Sequence, residues 1–381
     1  MNESAKERLL KSAPAPYIPK KLPLNTFSFV TKEIFELTVK ANNAVGQYAG
    51  FLKNTPNPWL LLAPITTQEA VLSSKLEGTH ATLEDILNHE AGNQTSIETD
   101  EIKEVQNYSR ALVYAMKNIS CYDDLSSMDS KSPLTVKLLK EMHAILLDNV
   151  RGSTKHPGKF KMLQNYIGGA ENISFTPLPP ELVNEYMSNL ERYMHYQESD
   201  LLLQAAILHA QFEMIHPFED GNGRIGRLLI PLFLYYRGLI PLPTFYMSSY
   251  FERNRDIYIQ RLSDISKNGD WNKWIEYFLN GVILQASINT IKADNILNLY
   301  NKFKEQADKI KSLYFIQILD FIFEHPIFTV KQLQDSKHIN ASKQTLYNVL
   351  QKMEQTQLLQ SSDTVKNKTF ICNKLLSTIN Q

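Results

Sequence analysis

The chain has 381 residues, 43% of them hydrophobic, which is enough for ordinary cores in two or three domains. Forty basic residues balance forty acidic ones, so no overall field draws it to nucleic acid or anionic lipid, and any nucleic-acid contact has to be local. Cys121 and Cys372 lie far apart in no metal-ligand spacing, and there is neither a signal-peptide pattern nor an apolar run of spanning length, so a reducing, cytoplasmic setting without membrane contact is expected.

Residues 1 to about 30 interleave Pro14, Pro16, Pro19 and Pro23 with lysines and aromatics, which predicts an extended arm. Helical apolar spacing from Phe27 to Leu52 predicts an amphipathic helix. Thr66 and Glu69, just after Pro64, form a capping-box pattern that predicts a helix from residue 66 to about Glu77, stopped by Gly78. Ser73 and Glu77, four apart, share a face of it. Residues 88 to 100 are polar and predict a loop; helical spacing returns from Glu101. Ser132 followed by Pro133 predicts the start of another helix, on which His143 is a packing or surface residue.

From Arg151 to Glu181 glycine, proline and asparagine punctuate short β-prone runs, the pattern of a hairpin. A helix follows, and then Asp200 caps the apolar helix that leads to His216. Pro217 disfavours helical geometry at His216, so the helix should end there and present the ring at a cleft mouth. Leu228 to Tyr236 predicts a second apolar helix, ended by Gly238, and two further helices run to about residue 290, the second capped by Asp270.

Between the two apolar helices, residues 216–227 (HPFEDGNGRIGR) bring together an imidazole, carboxylates, three glycines, an amide and two guanidiniums. Gly221 and Gly223 permit a tight turn and close approach to a ligand, and a helix starting there points its unbonded N–H groups and positive dipole end into that turn. This is the composition of a nucleotide-phosphate site.

From about Asn295 a connecting helix leads to helix, short helix, turn, longer helix and two β-prone runs, the order of a winged helix; the alternative is a helical appendage for dimerisation or packing. Residues 337 to 374 hold six lysines against Glu354 and Asp363, with no arginine, a modest footprint for DNA. Ser342, Lys343, Gln344 and Tyr347 would lead the helix facing it.

The stretch from His216 to Arg227 resembles without mismatch the signature of the Fic family, whose members typically transfer AMP from ATP to a hydroxyl side chain of a target protein. The resemblance implies a mainly α fold, a Fic helical-bundle core with a small β-hairpin flap, plus the C-terminal winged-helix (α+β) domain. The expected domains are 1–100, carrying an inhibitory helix at about 66–78; 101–290, the core with a flap at about 156–177; and 295–381. It further implies His216 as general base, Asp220 as the Mg²⁺ ligand, Gly221, Asn222 and Gly223 around the α-phosphate, Arg224 at the leaving phosphates and Arg227 at the γ-phosphate. Glu219 holds a variable position and is given no role.

Ser73-x-x-x-Glu77-Gly78 resembles the inhibitory motif of the same family, in which the glutamate takes the second signature arginine, here Arg227. Pro157-Gly158-x-Phe160 and Gln164-Asn165-Tyr166-Ile167-Gly168 look like the flap that docks the target segment by strand addition. Where relatives commonly carry arginine after the phenylalanine, this chain has Lys161. The partners implied are ATP, a target protein and, through the C-terminal domain, DNA, with a homodimer also compatible. The rival readings are a Fic scaffold that uses another phosphate-containing donor or removes AMP, and a nucleotide-sensing DNA-binding regulator.

Overall fold

The computed structural model describes residues 12–380 apart from 27–28, 56, 121–132, 169–172, 337–338 and 363–367. Helices dominate, with a two-stranded and a three-stranded antiparallel sheet among the described residues. The backbone packs as two units, each assembled from two stretches of chain: Met1–Ala49 with Asn107–Ala286, and Gly50–Gln106 with Ser287–Gln381.

The first unit contains most of α1 (Lys32–Asn54) and α4 (Thr99–Asn118), then α5 (Val136–Leu146), the hairpin β1 (Ile167–Gly168) and β2 (Ile173–Phe175), α6 (Val183–Met194), α7 (Leu201–Ile215), α8 (Asn222–Tyr236), α9 (Ser248–Arg253), α10 (Arg255–Asn268) and the start of α11 (Trp271–Lys304). Its core is the packed pair α7 and α8, both apolar nearly all round and almost entirely buried. Asp200 starts α7 as expected, accepting from the Leu202 and Leu203 N–H groups at 2.9 Å each. Trp274 of α11 donates its indole N–H to the Ala206 carbonyl at 2.9 Å. Beside it His209 is fully enclosed by Phe251, Tyr258 and Trp274. His209 Nδ1 meets the Gly226 carbonyl and Nε2 the Tyr258 hydroxyl, both at 2.9 Å, and burial pushes its pKa down to about 3. Since only an N–H can meet a carbonyl, Nδ1 carries the proton and ties α8 to α7 at Gly226.

In the second unit α2 (Trp59–Leu76) packs against α13 (Phe315–Glu324) and α16 (Asn373–Asn380), while α3 (Leu83–Glu90) packs against β3 (Ile327–Thr329). Lys292 Nζ donates to Gln68 Oε1 at 2.6 Å, Gln332 Nε2 to the Glu90 carbonyl at 2.6 Å, and Thr369 Oγ1 to Asn93 Oδ1 at 2.9 Å, so the two stretches are stitched by polar bonds as well. After α12 (Ala307–Ile310) and α13 come β3, α14 (Val330–Asp335), α15 (Lys343–Gln355), β4 (Gln360–Ser361) and β5 (Thr369–Ile371), with strand order β3-β5-β4. Strand β3 and the terminal helix α16 come in addition to the helices and the two β-prone runs read from the sequence.

Several helix starts differ from expectation. α2 begins at Trp59, with Pro64 inside it and Thr66 no cap. An early proline forfeits one backbone bond without ending the helix, and Thr67 returns its hydroxyl to the Ala63 carbonyl at 3.1 Å. The far end is as read: Glu77 is the C-cap and Gly78 takes φ +94°. α5 starts at Val136, capped by Thr135 through the Leu138 N–H at 3.2 Å; Ser132 lies outside the described residues and Pro133 precedes the helix. The loop expected at 88–100 is shorter, because a capping box between Thr82 and Asp85 starts α3 and α4 begins at Thr99. α8 starts at Asn222 rather than Leu228, which puts both signature arginines on a helix. The connecting helix expected near Asn295 is the continuation of α11.

Candidate active site

His216 ends α7 in the left-handed region, φ 51° and ψ 62°, with its N–H on the Phe212 carbonyl at 2.9 Å. Pro217 denies it helical geometry. Five residues on, Gly221, φ 75°, is the N-cap of α8, and no side chain caps the helix. Its first turn thus offers backbone N–H groups and a positive dipole end. Arg224 and Arg227, 1% and 3% exposed, lie on the first two turns. Guanidiniums this deeply buried are matched to anions; Arg224 Nη2 is 3.6 Å from Asp220 Oδ1.

The loop between the helices is clamped from several sides. Asn222 accepts from the Phe218 N–H and donates to the Phe218 carbonyl, both at 2.8 Å, and is 2% exposed. The Asn222 amide thus fastens the loop to its own backbone. Asn165 Nδ2 donates to the same Phe218 carbonyl at 2.9 Å, and Gln164 Nε2 to the Asn165 and Pro177 carbonyls at 3.0 Å each. Of the five flap residues expected to meet a target, Gln164 and Asn165 therefore turn inward. Tyr166 and Gly168 are exposed and Ile167 is half-buried, at the hairpin that pairs Ile167 with Phe175. Met162 and Leu163, 67% and 74% exposed, extend that apolar surface.

Two residues with no assigned role complete the scaffold. His143, expected as a packing or surface residue, is fully buried and stacks on Phe218 with centroids 3.8 Å apart. Its Nε2 meets the Asp220 carbonyl and its Nδ1 accepts from the Gly158 N–H, both at 2.9 Å. Burial pushes its pKa down to about 4, and the neutral ring with the proton on Nε2 satisfies both bonds. Lys161, 3% exposed, donates its N–H to the Pro217 carbonyl at 2.9 Å and its ammonium to Asn165 Oδ1 at 2.8 Å and the Ile215 carbonyl at 3.4 Å. Burial pushes it down to about 7. The sequence signal for His143 was its place on the buried face with Leu139, Met142 and Leu146; nothing local marked its bond to Asp220, 77 residues away.

Asp220 is the residue of this loop that could hold a hard cation. Its Oδ1 accepts from the Gly221 N–H at 2.6 Å, and its Oδ2 occupies ground that a Cβ at Gly152, φ 90°, would enter at 2.8 Å. The side chain is 38% exposed, and no group of three or more metal-type ligands occurs among the described residues. One carboxylate completed by substrate oxygens suits Mg²⁺. Glu219 turns away to His156 Nδ1 at 2.9 Å.

In the second unit, Ser73 is buried in α2 and Glu77 is exposed at its end. The lysines expected to face DNA are largely engaged: Lys352 donates to the Ile310 carbonyl at 2.9 Å, Lys368 pairs with Glu354 at 3.2 Å, Lys374 donates to the Gln357 carbonyl at 3.0 Å, and Lys343 lies 6.0 Å from the Tyr347 ring. Ser342 caps α15 and Gln344 bonds Asn348. Lys337 and Lys366 lie outside the described residues. Among the described residues no helix is long and apolar enough to cross a membrane.

Residues 133–234, which contain α5, the flap, His216 and both arginines, match the Fic/DOC family, and residues 35–117 match the Fic/DOC family N-terminal region. Residues 133–234 are a Fic domain. Protein adenylyltransferase fic-1 of Caenorhabditis elegans is 29% identical over 174 residues, 43% of this chain and 31% of that protein. Protein adenylyltransferase Fic of Drosophila melanogaster is 34% identical over 131 residues, 34% of this chain and 24% of that protein. The chain thus spans less than a third of the length of these curated relatives. A crystal structure of a Fic family protein from Desulfovibrio desulfuricans G20 covers 90% of this chain and 96% of its own with a TM-score of 0.57 at 19% identity, which shows a shared fold. The Fic match encloses every signature residue named above.

Proposed function

We propose that this protein transfers AMP from ATP to a hydroxyl side chain of a target protein, releasing pyrophosphate. The observation that carries the reading is one corner of structure: a left-handed His216 ending α7, followed five residues on by the N-cap of α8, which has no side-chain cap and carries two buried arginines on its first turns. The relatives named as protein adenylyltransferases support the same reaction class.

His216 takes the proton from the incoming hydroxyl; imidazole suits the task because its ordinary pKa lies near about 6.5. The first backbone N–H groups of α8 bind the α-phosphate where charge develops. Arg224 and Arg227 hold the departing phosphates, where planar guanidiniums give bidentate contacts. Asp220 would hold Mg²⁺, which when bound offsets phosphate charge. Tyr166, Ile167 and Gly168 present the hairpin to the target, with main-chain bonding that tolerates different sequences. The motif at Ser73 to Gly78, seated at the end of α2, is read as a restraint on transfer, and residues 295–381 as a winged helix.

The test is label incorporation into protein from α-labelled and γ-labelled ATP with Mg²⁺. Incorporation from the α label alone is expected, raised at least tenfold by Glu77→Gly and returned to background when His216→Ala or Arg227→Ala is added (about 10²–10⁴ is the usual worth of a general base). Incorporation from neither label in any variant would overturn the reaction; equal incorporation with and without Glu77 would overturn the restraint.

A further inference from the structure

Glu213 lies one helical turn before His216 on α7, with its Oε2 4.0 Å from His216 Nδ1 and the two side chains 10% and 19% exposed. His216 leaves the helix in the left-handed region, and the two side chains still come within this distance. The carboxylate has a place made for it on the opposite helix. A Cβ on Gly226 of α8 would meet Glu213 Oε1 at 2.2 Å and Phe212 Cδ1 at 3.1 Å, so any larger residue there would evict it. The same glycine is the one whose carbonyl is bonded by His209, one turn before Glu213, so the two helices are pinned together beside the carboxylate. A buried acid on an otherwise apolar helix is costly unless it meets a partner. Packing alone would be served as well by leucine or methionine.

We propose that Glu213 is a positioning residue for His216: it accepts from the Nδ1–H of the imidazole, so that the Nε2 lone pair is the one offered to the target hydroxyl. This rests on the reading of His216 as the general base. In the reaction the hydroxyl oxygen forms its bond to the α-phosphorus while the bond from that phosphorus to the pyrophosphate oxygen breaks. The hydroxyl proton moves to His216 Nε2 and afterwards leaves to solvent or to pyrophosphate. Glu213 stays ionised throughout and steadies the imidazolium. The distance of 4.0 Å shortens to a hydrogen bond when substrate binds, as acid–base contacts commonly do. The other charged groups at this corner are Lys161, 3.4 Å from the Ile215 carbonyl, and Asp220, Arg224 and Arg227 of the signature; all are unchanged in the comparison below.

The experiment uses the full chain, as Glu77→Gly and as Glu77→Gly/Glu213→Gln, the second substitution keeping the shape of the side chain. Nitrogen-15 NMR of the histidines, with His216 assigned by its loss in His216→Asn, reads tautomer and titration without turnover. The expected result is a proton on Nδ1 when Glu213 is present, and a neutral mixture of tautomers that titrates at lower pH with Gln. The His209 signal, set by its Gly226 bond, reports that the fold is intact. In the transfer assay kcat is expected to fall at least about tenfold with KM for ATP within twofold, and the acid limb of the pH profile to move to lower pH. Identical His216 tautomer and titration in the two proteins would overturn the proposal. A changed tautomer with no transfer by either protein would leave the Glu213–His216 link standing and remove His216 from its role as base.

Discussion

His143 and Lys161 hold the signature loop from two sides, and both do so in water-poor surroundings that oppose their charge. For His143 the native ring is held to about 4 by burial, whereas the unfolded chain titrates at an ordinary histidine value. Between those two pH values the unfolded state binds the extra proton, so native stability falls as pH drops through the window, by up to about 1.4 kcal/mol per pH unit. His143→Phe keeps the stack on Phe218 but strands the Gly158 N–H and the Asp220 carbonyl. A loss of roughly 2–5 kcal/mol at neutral pH is expected in denaturant unfolding, with a weaker acid dependence than wild type. Lys161 has the same sign in another window. Its native value near 7 lies below the ordinary lysine value of 10.5, so wild type should gain stability relative to Lys161→Met as pH rises from about 7 to 10. Melting temperatures of the two proteins across that range check it; parallel curves would mean that the ammonium is not desolvated as its bonds to Asn165 and Ile215 suggest.

At the scale of elements, the site is a helix end, a loop and a helix start, and it works through what the loop keeps clear. Gly152 marks that clearance: with φ 90° and only 2.8 Å available from a Cβ to Asp220 Oδ2, Gly152→Ala would strain the backbone and push the carboxylate. The expected outcome is a severalfold rise in the Mg²⁺ concentration needed for half-maximal transfer, read by titrating Mg²⁺ in the labelling assay. Much of this region was legible because its signals are short-ranged. Asp200, Pro217, Gly221 and Gly238 each act on their own neighbours, so a helix end and a turn could be read from adjacent residues. The starts of α2, α5 and α8 were harder, since Thr66-x-x-Glu69 and Ser132-Pro133 mimic caps and glycines near 221 resemble a loop as readily as a first helical turn. What no local pattern carried is the wiring: His143 to Asp220, Asn165 to Phe218 and His209 to Gly226 join residues that meet only in the folded chain.

For the whole molecule, the notable fact is that the segment bearing Ser73 and Glu77 belongs to the same packed unit as residues 287–381. α2 rests on α13 and α16, and α3 rests on β3. Ending the chain after Lys304 would strip those partners and leave α2 and α3 with exposed apolar faces. Hydrogen exchange across residues 59–90 should then quicken by orders of magnitude, and transfer should rise toward the Glu77→Gly level. Unchanged exchange would show that α2 and α3 hold their structure without the C-terminal stretch. The same arrangement bears on how such chains can be recombined in evolution. Because one unit is sewn from two distant stretches, a crossover that exchanges the C-terminal stretch alone would deliver a stranger to the bed of α2. Lineages should therefore inherit the two stretches as a pair, with substitutions at Gln68, Glu90 and Asn93 tracking those at Lys292, Gln332 and Thr369.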